Sequence, residues 1–301
     1  MFAVGRKLLS RLAPFGALCA VTVLAAAGGA DARRAAIACG DTITADVTLT
    51  ANVTGCPGDG LIVAGNGVLV DLNGHVVSGS GIGSGIVVTG TDVTVVDGFV
   101  RSFAFGVRSS GDRTRLSGLT VTGNGIGVVA LAQSGVVDNS VLAQNTGNGL
   151  TARGAGWTVA DSMILDNGGA GLSFFFAGQA TIKRNSVAGN AGSGIEFLAH
   201  VDQSVIADNG VARNGGHGIL VADSTTQVLR NLARRNGNTG ILLSEGENPL
   251  AAPFYVITGN SSNDNAGAGI AATPGMTDGG GNSAKHNDVT PECVNVACSK
   301  N

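Results

Sequence analysis

The chain has 301 residues, with 18 Lys or Arg against 21 Asp or Glu, for a formal net charge of −3. Only 13% of residues are charged and 4% aromatic, while 49 are Gly. This balance carries no electrostatic footprint for nucleic acid or for an anionic membrane surface.

The first 32 residues read as an export signal. Arg6, Lys7 and Arg11 make a basic start, Leu12 to Ala27 is apolar, and Ala30-Asp31-Ala32 offers a small-x-small cleavage site. The apolar run is short and Ala-rich for a membrane span, so no stable span is expected once the signal is removed. Without these residues 15 basic and 20 acidic side chains remain, a net charge of −5.

Residues 33–70 are expected to cap the fold at its N-terminal end, and residues 282–301 at its C-terminal end. Past the signal there are four cysteines, Cys39, Cys56, Cys293 and Cys298, in two close pairs. Export permits disulfides, and four cysteines allow three pairings. Cys39–Cys56 with Cys293–Cys298 closes the shortest loops, as staples of the two caps. A structural metal would need Cys or His ligands clustered at short spacing, and the sequence has no such cluster.

Residues 71–281 are periodic. Gly followed by a mostly aliphatic residue recurs at Gly85, Gly106, Gly127, Gly149, Gly171, Gly194, Gly218, Gly240 and Gly269, in steps of 21, 21, 22, 22, 23, 24, 22 and 29 residues. A period near 22 residues is too short for paired helices. Each unit holds three short alternating apolar runs, the mark of strands with one buried face. In one unit these are Gly194-Ile-Glu-Phe-Leu, Gln203-Ser-Val-Ile-Ala-Asp-Asn209 and Gly210-Val-Ala-Arg-Asn214. Asn and Gly between the runs supply left-handed backbone. The expected fold is all-β, a parallel β-helix solenoid of nine to ten rungs stacked about 4.8 Å apart. Two Asn columns follow the axis. One holds Asn139, Asp161, Asn185, Asn209, Asn231, Asn260 and Asn282; the other holds Asn124, Asn145, Asn167, Asn190, Asn214, Asn236, Asn265 and Asn287. Stacked Asn side chains bond to one another and to the turns.

The repeat resembles the right-handed parallel β-helix proteins of the pectate-lyase-like superfamily, over about residues 39–298. Asp71-Leu-Asn-Gly-His75 with the Gly-rich turns after it is similar to their first rungs, and Gly279-Gly-Gly-Asn282 through Cys298 to their closing segment. The resemblance implies right-handed coiling. It leaves activity open, since the superfamily holds lyases, hydrolases, epimerases, adhesins and a copper-enzyme maturation protein. Of the pectin-hydrolase signatures only Gly216-His217-Gly218 is present, at a position that varies freely between units, and the Asp-Pro-His-Asp signature of alginate epimerases is absent.

In enzymes of this superfamily an outward sheet face and its flanking turns form the substrate groove. After each repeat Gly the residues alternate inward and outward. The first outward column reads Val87, Arg108, Val129, Thr151, Ser173, Glu196, Leu220 and Leu242. The second reads Thr89, Ser110, Leu131, Arg153, Phe175, Leu198, Ala222 and Ser244. In the third, Asp223 and Glu245 fall on adjacent rungs, about 5 Å apart, with Glu196 and His200 close by. The 29-residue step adds a segment containing Phe254 and Tyr255 next to them. Asp223, Glu245, Glu196 and Arg153 are the candidate catalytic residues. His200, Phe254 and Tyr255, with the basic pair Arg213 and Arg235, are the candidate glycan contacts. Calcium at Asp223 and Glu245 is the one candidate cofactor.

The leading expectation is an exported, monomeric protein, secreted, periplasmic or on the cell surface, that binds a polysaccharide or envelope glycan or serves as a scaffold. The alternative is a polysaccharide lyase or glycoside hydrolase. A third reading, a periplasmic maturation factor, finds no Met- or His-rich stretch to support it.

Overall fold

The computed structural model describes residues 37–222, 225–244 and 256–299. The export signal, Asp223, Glu245, Phe254 and Tyr255 lie outside the described residues.

The repeat folds as a parallel, right-handed β-solenoid. The unit from Ile195 shows how. Its three strands are Ile195–Leu198, Ser204–Ala207 and Gly210–Ala212. Ile195 and Phe197 are fully buried while Glu196 and Leu198 are half-buried on the outside, so alternation alone sets which face packs. Each strand pairs with its counterpart in the next unit, Ile195 opposite Ile219 and Val211 opposite Ala233. The first strands of the units form one long sheet of twelve parallel strands, from Asp41–Ile43 to Cys293–Val294. The second and third strands line the other two sides. At Thr94–Arg101 and Arg115–Thr122 they fuse into single eight-residue strands that bend round the corner.

The core is a set of columns running along the axis. Leu150, Leu172, Ile195, Ile219, Ile241 and Ile270 stack in one, all fully buried. Phe174 and Phe197 stack in the next, ring centres 5.0 Å apart. Trp157 is fully buried at a corner and donates its indole N–H to the Ala132 carbonyl at 2.6 Å. No single turn encloses these side chains; the stack does so collectively.

The twelve strands of the long sheet delimit about eleven turns, against the nine to ten expected. Pairing already runs through residues 41–70, where Asp41 opposes Leu61, and continues to Ser299 opposite Ser283. Those end turns lack the Gly-aliphatic signature, so the repeat count passes them over. The disulfides Cys39–Cys56 and Cys293–Cys298 staple these two end turns.

The two corners flanking the third strand are locked by side-chain ladders. In one, each Asn donates its side-chain N–H to the carbonyl oxygen of the next, from Asn124 through Asn145, Asn167, Asn190, Asn214, Asn236 and Asn265 to Asn287, at 2.8–3.1 Å. All of them are buried. The other ladder runs from Asn185 through Asn209, Asn231 and Asn260 to Asn282. Its first members differ from the sequence reading. Ser140 and Ser162 are the buried rungs. Asn139 and Asp161, assigned to that column, sit one residue earlier with φ of 47° and 52° and are exposed. A Ser hydroxyl accepts the neighbouring backbone N–H as an Asn does, while the left-handed residue before it must point outward. The repeat Gly follows from the same packing: a Cβ on Gly194 would lie 2.7 Å from the Asn214 amide nitrogen and 2.8 Å from the Gly218 carbonyl. Among the described residues no helix is long and apolar enough to cross a membrane.

Candidate functional site

The outward face of the long sheet carries the chemistry. Arg108, Val129, Thr151, Ser173 and Glu196 stand in register on successive turns. Arg153 and Phe175 follow in the neighbouring column. Phe105, Arg108, Ile126, Val129, Leu131, Thr151 and Arg153 line an open depression of about 330 Å³. Among the described residues neither Arg108 nor Arg153 takes part in an ion pair. By contrast Arg113, Arg184 and Arg230 are held by Asp92, Asp161 and Asp208 at 2.6–2.7 Å. The Arg153 guanidinium instead lies 5.9 Å from the Phe175 ring centre. Arg108 and Arg153 are two turns apart, about 10 Å at strand spacing.

Glu196 is the carboxylate of this face among the described residues. Burial raises its pKa above the ordinary Glu value, and a hydrogen bond from Ser173 opposes the rise. Two turns separate it from Arg153, whose cation is engaged with Phe175, so the two candidate catalytic residues share a face without touching.

One wall of this face is built by the corner where the chain leaves the long sheet. Ala152 and Thr158 lie six residues apart there; their paired equivalents Phe174 and Thr181 are seven apart, Phe197 and Val205 eight, and Leu243 and Val256 thirteen. The added residues of the first two turns are exposed or half-exposed and include Phe176 and His200. Their rings stack 5.4 Å apart at 20°, and Phe175 meets Phe176 edge-on at 4.3 Å. Phe176 is 54% exposed. The structure therefore brings His200 to the wall with Phe175 and Phe176. Arg213 and Arg235 sit at the opposite corner, where the chain enters the long sheet, and Arg235 approaches Asp264 at 3.9 Å. They are not part of the same cluster. His217 is half-buried at that corner too, its Nε2 3.3 Å from the Asn238 side-chain nitrogen, and burial lowers its pKa. Among the described residues no group of three His, Cys, Asp or Glu could hold a metal ion.

Sequence reasoning passed over Arg108, Phe105 and Phe176 as site residues. The available signal was small: the steps of 23 and 24 residues that precede the obvious 29.

The family model for the right handed beta helix region matches residues 104–255, half of the chain. This chain belongs to that family. Solved structures of β-helices share its fold at low identity. The A-module of the Azotobacter vinelandii mannuronan C-5 epimerase AlgE6 aligns over 86% of this chain and 91% of its own, with 14% identity and a TM-score of 0.59. The Dettilon tailspike protein aligns over 81% of this β-helix chain with 17% identity and a TM-score of 0.58; the chain spans 55% of the tailspike. The alginate lyase of Paenibacillus sp. str. FPU-7 aligns over 84% of this chain and 91% of its own, with 15% identity and a TM-score of 0.50. At such identities the likeness is one of fold. No curated protein sequence matches the chain.

Proposed function

We propose that this β-helix protein binds an acidic polysaccharide along the outward face of its long sheet, in an oxidising compartment outside the cytoplasm. The observation that carries the reading is the pair Arg108 and Arg153, free of ion pairs among the described residues and set on alternate turns along one apolar depression. A cation held over an aromatic-aliphatic floor suits a sugar carboxylate flanked by apolar ring faces: the guanidinium fork binds the carboxylate in two places and the floor takes the ring. The two disulfides support the compartment, since such bonds persist where thiols are not kept reduced. Polysaccharide-directed names among the fold neighbours agree with this reading.

Calorimetric titration with oligogalacturonate and oligomannuronate tests it. The double variant Arg108→Gln/Arg153→Gln should bind at least about 30-fold more weakly, roughly 2 kcal/mol, and with a shallower salt dependence. Equal binding by the variant would sink the reading. The same titration in EDTA tests calcium at Asp223 and Glu245; unchanged affinity leaves the metal without a part.

Glu196 favours a second reading, in which the bound glycan is also processed. A carboxyl whose proton is held more tightly by burial suits general acid or base work. Cleavage that survives Glu196→Gln removes this residue from the chemistry.

A further inference from the structure

We propose that Phe176, supported by Phe175 and His200, is a stacking subsite that takes the apolar face of a pyranose next to the acidic sugar held by Arg153. The inference rests on the polysaccharide reading above and adds to it a second contact of different chemistry.

Three observations converge on Phe176. Its backbone has φ of 53°, a left-handed conformation that is a true outlier for a bulky side chain. Among the described residues it is the one Phe held this way. In the shorter turns the corner closes without such a residue. The cost, about 1–2 kcal/mol, is not recovered in the core, because the ring is 54% exposed. Strain kept at a solvent-facing ring points to a surface role. Second, the extra residues enter two consecutive turns at the same corner, and their rings meet: Phe176 and His200 stack in near-parallel planes, while the Phe176 N–H bonds to the Ala199 carbonyl at 2.9 Å. The result is a flat platform rather than a loop tip. Third, the platform borders a cation. Phe175 touches Phe176 on one side and lies beneath the Arg153 guanidinium on the other. A ligand spanning both must carry an anion and, a ring's width away, an apolar ring face with C–H groups that suit the negative face of an aromatic ring. An acidic glycan meets that description.

Phe176→Gly separates function from packing. Glycine relieves the left-handed strain, so the thermal midpoint should hold or rise. Affinity for hexasaccharides of galacturonate or mannuronate should fall about tenfold, the worth of one good ring contact. Phe176→Tyr should restore it. A lowered midpoint with unchanged affinity would make the ring a packing group and overturn the proposal. So would unchanged glycan affinity with a shift in oligomeric state by size-exclusion chromatography, which would make the platform a contact between copies. The failures are distinguishable: if Arg108→Gln/Arg153→Gln weakens binding and Phe176→Gly does not, the stacking subsite alone is lost. If neither variant changes binding, the polysaccharide reading falls with it.

Discussion

Asn287 ends its ladder by donating a side-chain N–H to the carboxylate of Glu292. The other ladder ends the same way, Asn282 donating to Asp278 at 3.0 Å. Both rows of amides point their donors toward the C-terminal end, and each meets an anion there. A carboxylate is the strongest acceptor available for a row of polarised N–H groups.

Removing that anion should loosen the last turn first. Glu292→Ala is expected to cost about 2 kcal/mol, a fall of roughly 5 °C in thermal midpoint, with faster amide exchange confined to the final turns. Glu292→Gln keeps an acceptor and should recover most of the loss. Exchange that rises evenly along the rod would show that the end is not a separate weak point.

In mid-ladder the penalty grows. Asn190 donates to Ile164 and Asn214 and accepts from both nitrogens of Asn167. Asn190→Ala should cost about 3 kcal/mol or more, since buried partners are left unpaired. Asn185→Ser should be milder than Asn190→Ser, because its ladder already uses Ser140 and Ser162. Denaturant midpoints decide the order.

How much of this was legible in the sequence depends on what each residue does. Gly194 and Asn190 announce themselves because their packing repeats and so repeats in the sequence. Ser140 escapes, since a hydroxyl and an amide fill one hydrogen-bonding role and the exposed Asn139 beside it mimics the column. Arg108 and Arg184 look alike as letters; only the structure shows that Asp161 holds Arg184 while Arg108 faces the depression. Phe176 is hidden for another reason. A single added residue alters the period no more than the ordinary drift between turns, and its consequence, a strained exposed ring, is a matter of backbone angle.

Acid should weaken three surface contacts together. Asp92, Asp161 and Asp208 have pKa values lowered from 3.8, chiefly by hydrogen bonds from Arg113, Arg184 and Arg230. A lowered folded-state pKa adds stability that is complete above the unfolded value and is lost as pH falls from about 3.8 through the folded value. These groups are exposed, so their worth at neutral pH is small. The triple Asp→Asn variant should match the parent at pH 7 and show a shallower loss of thermal midpoint below pH 4. An identical acid limb would rule the pairs out as its source.

Glu196 should behave in the opposite sense. Its raised pKa means that stability is highest with the carboxyl protonated and declines as pH rises from 4.5, the ordinary value, through the folded one. Glu196→Gln should therefore raise the thermal midpoint at pH 7 and leave it unchanged at pH 4. A lower midpoint at pH 7 would mean that the Ser173 contact outweighs burial.

The disulfides should differ in worth. Cys39–Cys56 spans 17 residues and Cys293–Cys298 spans 5. Replacing the first pair by Ser should cost about 3 kcal/mol and the second about 2 kcal/mol on loop entropy. Guanidinium titration of the two double variants checks the ranking.

The uneven corner has a consequence for how such a molecule can change. From the second strand to the third the inward residues stay five apart, as in Val159 and Ile164, Ile182 and Val187, Ile206 and Val211, and Val228 and Ala233. A residue added there would pull a Ser or Asn out of line and strand its neighbours above and below. The corner leaving the long sheet has no such thread through it, and one, two or seven extra residues pass without shifting any later pairing. The rod thus keeps two seams shut and one open, and the open seam is the one beside the arginines.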